Sequence, residues 1–338
     1  MKRVLVTGGA GFIGSHLAER LIQEGHRVTV LDNLATGRLK NLETIRKEKN
    51  FVFINADITQ AHGIRRHFKG IDWVFHVAAL ADIVPSVVEP YKYHRANVDG
   101  TLAVLEAARQ NRVKRFIYTA SSSCYGIPKK YPTPETSPLC PRYPYALTKY
   151  LGEYYALFWS RLYRLPVLSL RLFNVYGERA RTSGTYGAVI GVFIAQKLAN
   201  RPFTVVGYGT QRRDFVYVSD VVDAFIKAAR SPITNDVFNV GSGNPQTINK
   251  LVRLLGGKKI HIPRRPGEPD CTWADISKIK RALAWNPKIS FEQGIKKVLE
   301  NINYWKDAPV WTAARIKKAT KEWFRYLSRT GFETAPES

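Results

Sequence analysis

Tyr145 and Lys149 stand four residues apart just after Pro144, in a stretch whose spacing predicts a helix over about 144–162, so phenol and ammonium share one face. A free phenol with a pKa near 10 is a poor base at neutral pH. An ammonium beside it stabilises the phenolate, and an oxidised nicotinamide would add a second positive charge, so the pair could take a proton from an alcohol. Ser121, Ser122 and Ser123 follow the apolar run Arg115 to Ala120, which reads as a strand. Their hydroxyls then lie at the carboxyl end of that strand, where open α/β sheets bind ligands, and one of them can relay a proton or hold a sugar oxygen.

A second group of residues suits a dinucleotide. Gly8, Gly11 and Gly14, spaced GxxGxxG, lie between a predicted strand (Arg3 to Val6) and a helical pattern (Ser15 to Gln23). Such a loop lets backbone N–H groups and the positive helix end face a pyrophosphate with no Cβ in the way. Asp32 follows Gly14 by 18 residues, at the tip of a second strand (Arg27 to Leu31). A carboxylate there accepts from both hydroxyls of an adenosine ribose and repels a 2′-phosphate, which favours NAD over NADP. Arg38, six residues further on, could weaken that preference.

Further strands are predicted at Phe51 to Asn55, Trp73 to Val77, Arg115 to Ala120 and Val167 to Phe173, with helical patterns at about 95–111 and 144–162. Strands alternating with helices imply an α/β fold of Rossmann type, a doubly wound parallel sheet with right-handed crossovers. After Tyr176 the rhythm changes. A Gly/Thr-rich segment (181–187) precedes a helix to about Asn200, and short strands follow at Phe203 to Val206 and Phe215 to Tyr217. The expected division is a dinucleotide-binding domain over 1–178 with strands returning from about 207–240, a smaller lobe over 179–310, and an amphipathic helical tail over 311–338. In the tail Ile316, Ala319, Trp323 and Leu327 recur at near-helical spacing, which suits a helix packed on the body.

The 338 residues are enough for one large or two modest domains, and 45% hydrophobic with 23% charged residues is globular usage. No apolar run reaches the roughly 20 residues of a membrane span, and the start of the chain lacks the pattern of an export signal, so a cytoplasmic enzyme is expected. Cys124, Cys140 and Cys271 fit neither a disulfide framework nor a metal spacing. The 52 Lys+Arg against 27 Asp+Glu give +25, a field that attracts polyanions, anionic lipids and phosphorylated small molecules alike. The basic residues come in twos and threes without a nucleic-acid-binding signature, so no nucleic-acid partner is expected.

In combination these stretches resemble a known family, the extended short-chain dehydrogenase/reductases, specifically the nucleotide-sugar epimerase and dehydratase group. TGGAGFIGSH (Thr7 to His16), Asp32-Asn33, Ala56-Asp57-Ile58, His76-Val77-Ala78-Ala79, Asn97, ASSSCYG (Ala120 to Gly126), Tyr145-Ala-Leu-Thr-Lys149 and RLFNVYG (Arg171 to Gly177) occur in the family's order across about residues 2–306. The resemblance implies that Gly8, Gly11, Phe12, Ile13 and Gly14 hold the pyrophosphate of NAD, Asp32 and Asn33 the adenosine ribose, and Asp57 and Ile58 the adenine. It places Ala78, Ala79 and Asn97 on the nicotinamide side, with Lys149 on the nicotinamide ribose. The substrate set it implies is Ser86, Ser121, Ser122, Ser123, Tyr145, Asn174, Arg213, Arg265, Glu268 and Thr272, where arginine forks suit a diphosphate. Homodimerisation through the helices near 95–111 and 144–162 is implied in the same way.

Members of that group that dehydrate the sugar carry an Asp-Glu pair directly after the catalytic hydroxyl residue; here those positions are Ser122 and Ser123. The pattern therefore looks like that of UDP-glucose or UDP-N-acetylglucosamine 4-epimerases, with Tyr145, Ser121 and Lys149 as catalytic residues. The implied reaction oxidises C4 to a 4-keto sugar and reduces it again on the other face, so NAD stays bound. By the same resemblance, the position that group uses to gate N-acetyl sugars aligns with Thr272, whose small side chain would leave room at C2. The loop Gly177 to Tyr186 departs from the group's usual Pro-Arg-Gln run, which leaves the nucleotide and sugar open. Alternatives are a dehydratase, reductase, decarboxylase or other epimerase, on a GDP-, CDP- or dTDP-sugar as well as UDP, and a non-catalytic NAD-sensing protein.

Overall fold

The computed structural model describes residues 1–180 and 188–328. Six strands, β1 (Arg3–Thr7), β2 (Arg27–Asp32), β3 (Phe51–Asn55), β4 (Trp73–His76), β5 (Arg115–Ser121) and β6 (Val167–Leu172), form one sheet with Asp236–Val240. The order is Asp236–Val240, β6, β5, β4, β1, β2, β3, and every pairing is parallel. This is the Rossmann arrangement expected from the alternating pattern. Parallel strands need crossover helices, which cover both faces, and the strands accordingly read as apolar runs. Val4, Leu5 and Val6 are fully buried, and β6 is buried from end to end.

From β1 the chain winds outward to β2 and β3, then returns to build β4, β5 and β6 on the other side. The switch point between β1 and β4 opens a crevice at the strands' carboxyl ends. Register sets what faces it: Thr7 lies level with Leu31 on β2 and His76 on β4, so the loop from Gly8 emerges between Asp32 and Val77. The helix Phe12–Gln23 follows this loop, and Pro144–Tyr163 is the long helix after β5.

The segment expected as one helix over 95–111 begins with a wider, π-type turn, Arg95–Asp99, before the α-helix Gly100–Gln110. There the Thr101 hydroxyl donates to the Asn97 carbonyl at 2.6 Å and the Asn97 side chain is turned inward. Such turns often mark functional positions.

A second core gathers around Phe193 stacked on Phe203 and Phe215 stacked on Phe291, each pair 4.9 Å between ring centres. Short pairings frame it: Phe203–Val206 with Lys259–Ile262, Asn174–Tyr176 with Phe215–Tyr217, and Arg212–Arg213 with Gln246–Thr247. The tail is two helices where one was expected, Ala313–Ala319 and Lys321–Leu327. They meet at the buried Thr320, whose hydroxyl donates to the Ile316 carbonyl, and Ile316 and Trp323 join the second core. Among the described residues no helix is long and apolar enough to cross a membrane, and no cluster of three possible metal ligands occurs. All three cysteines are free.

Candidate active site

A cleft of about 700 Å³ lies at the switch point, walled by Gly8, Gly11, Phe12, Ile13 and Gly14 on one side and Val77 to Asp82 on the other. The glycine loop is tight because side chains would not fit. Gly8 has φ +68°, and a Cβ there would come within 2.6 Å of the Ala78 Cα. A Cβ on Gly14 would run into the Gly8 carbonyl oxygen and approach the Gly9 Cα to 2.8 Å. The helix Phe12–Gln23 starts at Gly11 with no side-chain cap and no acid in its first turn, so its free N–H groups and positive end suit an anion.

Asp32 sits at the far end, only 7% exposed, accepting from the Ala10 and Leu34 N–H groups at 3.0 and 2.8 Å. Burial raises its carboxyl pKa, and those two donors oppose the rise. Asn33 donates to Asp57 at 3.0 Å, and Thr59 donates to Asp57 through backbone and hydroxyl, both at 2.8 Å. Burial would raise the Asp57 carboxyl, but these donors outweigh it and hold it low. Asn33, Asp57 and Ile58 line the cleft next to Asp32. Arg38 does not turn toward Asp32: its guanidinium lies over the Tyr304 ring, 5.8 Å from the centre. The residues fit a dinucleotide, with a cradle for a pyrophosphate at one helix end and a carboxylate for a ribose beyond it.

Tyr145, Ser121 and Lys149 come together near Asp82, which lines the opposite wall of the cleft. Ser121 ends β5; its hydroxyl bonds the Ser123 hydroxyl at 2.8 Å and lies near enough to the Tyr145 phenol to favour its ionised form. Burial raises the Tyr145 phenol, the neighbouring Ser121 hydroxyl lowers it, and the nearby Asp82 carboxylate raises it further. Lys149, one turn along the helix, is buried with its ammonium 4.5 Å over the Tyr118 ring. Burial lowers it to about 7, against the pull of Glu153 one turn further on. Glu153 is itself locked between Arg171 and the Ser169 hydroxyl, and Arg171 also donates to the Tyr125 hydroxyl at 2.8 Å.

Asn97 stands behind the cleft wall. Its amide donates to the Leu80 carbonyl at 2.9 Å and the Thr148 hydroxyl at 3.0 Å, and its oxygen accepts from the Leu80 N–H at 2.8 Å. Asn97 thus forms a bracket between the segment Ala78 to Leu80 and the Tyr145 helix. Behind it runs a chain that sequence reasoning missed. Thr101 spends its proton on Asn97, so it accepts from His76 Nε2–H at 2.9 Å, and His76 Nδ1 accepts from the Thr7 hydroxyl at 2.7 Å. Its signal was the histidine of the His76 to Ala79 motif, an ionisable residue at the end of an otherwise apolar strand.

The remaining sites lie toward the second core. Arg213 and Arg265 both face Glu268, at 3.8 and 3.0 Å. Thr272 donates to the Asn174 side chain at 2.7 Å and accepts from the Asp214 N–H at 3.0 Å, so its hydroxyl is fixed. Asp214, also missed, is fully buried and gathers the Ser242, Gly243 and Ala274 N–H groups, which ties the Arg213 strand to the Thr272 segment. Ser86 is buried and donates to the Ile83 carbonyl at 2.6 Å. Ser122 and Ser123 open a short turn, Ser122–Tyr125, directly after Ser121. The part of the expected specificity loop over 181–186 lies outside the described residues.

Comparison with known proteins decides which family this arrangement belongs to: the model of the NAD dependent epimerase/dehydratase family matches residues 4–241. The chain belongs to this family. It is an enzyme and NAD is its cofactor. Within the family it is similar to the UDP-glucose 4-epimerase of Mycolicibacterium smegmatis, 37% identical over 308 residues, covering 88% of this chain and 97% of that one. It is also 34% identical over 310 residues to UDP-glucuronic acid decarboxylase 1 of Danio rerio, covering 88% of this chain and 72% of the relative. Among solved structures, UDP-glucose 4-epimerase of Thermotoga maritima with UDP-glucose superposes with a TM-score of 0.83 at 36% identity, covering 90% of this chain and 99% of that one. The epimerase/dehydratase family thus accounts for the cleft, while its members differ in reaction.

Proposed function

We propose that the chain is a 4-epimerase of a nucleotide-activated hexose, with a UDP-hexose of the glucose or N-acetylglucosamine type as substrate. The observation that carries the reading is the Ser121 hydroxyl placed beside the Tyr145 phenol, with Lys149 one turn along and serines at 122 and 123 where an eliminating enzyme needs an acid and a base. NAD, when bound, supplies the hydride acceptor and donor at C4 and, oxidised, a positive charge that favours the phenolate. Tyr145 accepts the proton of the C4 hydroxyl and later returns it. Ser121 holds the same oxygen in line, and Lys149 stabilises the phenolate. Gly8, Gly11, Phe12, Ile13 and Gly14 cradle the cofactor's pyrophosphate, Asp32 with Asn33 takes its ribose, and Asp57 with Ile58 borders its adenine.

On the substrate side Arg213 and Arg265 grip the diphosphate, and Asn174 is aimed by Thr272. Asp82 lines the cleft close to Tyr145, which weighs against a second negative charge on the sugar and favours a neutral hexose over a uronate. Leu147, Tyr154, Phe158 and Leu162 form an exposed stripe on one side of Pro144–Tyr163, a surface suited to a second copy of the chain. The test is proton NMR of UDP-glucose, UDP-N-acetylglucosamine and their C4 epimers incubated with the purified protein and no added cofactor. Conversion of one pair to a mixture is expected, and Tyr145→Phe should slow it by about 10²–10⁴-fold while retaining NAD. A product missing water, or net NADH in solution, would overturn the reading in favour of a dehydratase or reductase.

A further inference from the structure

Trp323, in the tail helix Lys321–Leu327, is fully buried at a point where three separate segments meet. Its indole N–H donates to the Pro266 carbonyl at 2.9 Å. Its ring lies 5.3 Å from that of Tyr143, tilted by 51°. The helix packs against Ile83–Val88, whose Ile83, Val84 and Val87 share the second core with Trp323. Gly267 completes the fit, with φ +75° and no side chain: a Cβ there would come within 2.8 Å of the Leu327 side chain.

Each of these segments carries part of the proposed substrate site. Ser86 belongs to Ile83–Val88, Tyr143 stands two residues before Tyr145, and Pro266–Gly267 separates Arg265 from Glu268. Tyr143, whose ring packs on Trp323, lies within electrostatic reach of Tyr145, Glu268 and Arg213 together, so it stands between the proton-transfer residues and the arginines. A helix that merely capped the core would need an apolar face alone. This one also anchors, through the single donor of the indole, a turn whose neighbours are the two charged side chains of the site.

We propose that the helix Lys321–Leu327 is a wall of the nucleotide-sugar site and that Trp323 is a positioning residue, fixing the Arg265–Glu268 turn and Tyr143 at the spacing that binds the nucleotide diphosphate. The proposal rests on the reading of this cleft as a nucleotide-sugar site. Trp323→Phe keeps a ring against Tyr143 and removes the donor to Pro266, so the turn loses its anchor while the core stays filled. Small displacements of binding groups weaken binding without touching the reacting atoms.

The test uses the full chain with Trp323→Phe, Trp323→Ala and, as a control on the exposed side of the same helix, Lys321→Ala. NAD retained per chain, KM and kcat for UDP-glucose, and the Kd of UDP by calorimetry are measured for each. Trp323→Phe is expected to raise KM and the UDP Kd about five-fold, the scale of one lost hydrogen bond, with kcat within about two-fold and NAD content unchanged. Trp323→Ala should be weaker still or insoluble, and Lys321→Ala should match the parent. Unchanged KM and Kd in Trp323→Phe, or a joint fall of kcat and NAD content, would overturn the proposal. A parent protein that binds UDP without converting any UDP-sugar removes the 4-epimerase reading, and the UDP Kd ratio still decides the role of Trp323. A parent that binds none of UDP, GDP, CDP or dTDP overturns both.

Discussion

His76 makes the fold sensitive to acid in a way that can be calculated. Its side chain is 1% exposed, and its two nitrogens are held in a directional chain between the Thr7 and Thr101 hydroxyls. Burial, with the nearby Lys149 charge, lowers it from 6.5 to about 3. A second proton on Nδ1 would confront the Thr7 hydroxyl proton and break the chain. Between pH 6.5 and 3 the unfolded chain therefore binds one more proton than the folded one, so stability from this residue is complete above 6.5 and lost as pH falls. Each unit costs about 1.4 kcal/mol, which amounts to about 3 kcal/mol between pH 6.5 and 4.5. Urea unfolding of the parent and of His76→Gln at pH 7.5 and 4.5, followed by circular dichroism, isolates this part, because other groups titrate equally in both. The parent's advantage should shrink by about 3 kcal/mol on acidification. An advantage that stays constant across that range would refute the argument, since it would mean that the imidazole titrates alike in both states.

Gly14→Ala should empty the cleft without unfolding the chain, because the new Cβ meets the Gly8 carbonyl and forces the pyrophosphate cradle open; NAD retained after gel filtration is expected to drop by at least about ten-fold, the scale of a lost anion site. Arg171→Met strips the buried Glu153 carboxylate of its ion-pair partner and leaves it bonded only to the Ser169 hydroxyl, and should cost about 3–5 kcal/mol in equilibrium unfolding.

Much of the fold was readable because parallel strands covered on both faces must be short apolar runs, and β3, Phe203–Val206 and Phe215–Tyr217 have the predicted limits. The helix of Tyr145 and Lys149 and the glycine loop were readable for a related reason: both are set by local spacing, a step of four from Tyr145 to Lys149 and of three from glycine to glycine. What escaped depends on contacts between distant segments. Nothing near Asn97 in sequence announces that its amide is spent on Leu80 and Thr148. Nor does the pattern around Ile316, Ala319, Trp323 and Leu327 reveal the break at Thr320, where a buried hydroxyl turns back to a carbonyl inside its own helix. Asp214 likewise looks like one more charge in a basic stretch, yet it lies at the centre of three backbone donors.

The strand Asp236–Val240 covers the outer edge of β6, although Leu172 and Asp236 are 64 positions apart in the chain. A ribosome adding roughly 5–20 residues per second takes about 3–13 s to cover that distance. For that interval the nascent protein carries Val167–Leu172, a run of mostly apolar residues, as an open strand edge with unpaired N–H and C=O groups. The parallel sheet is thus written first and sealed late, and the segment synthesised in between is what sets the length of its exposure to aggregation.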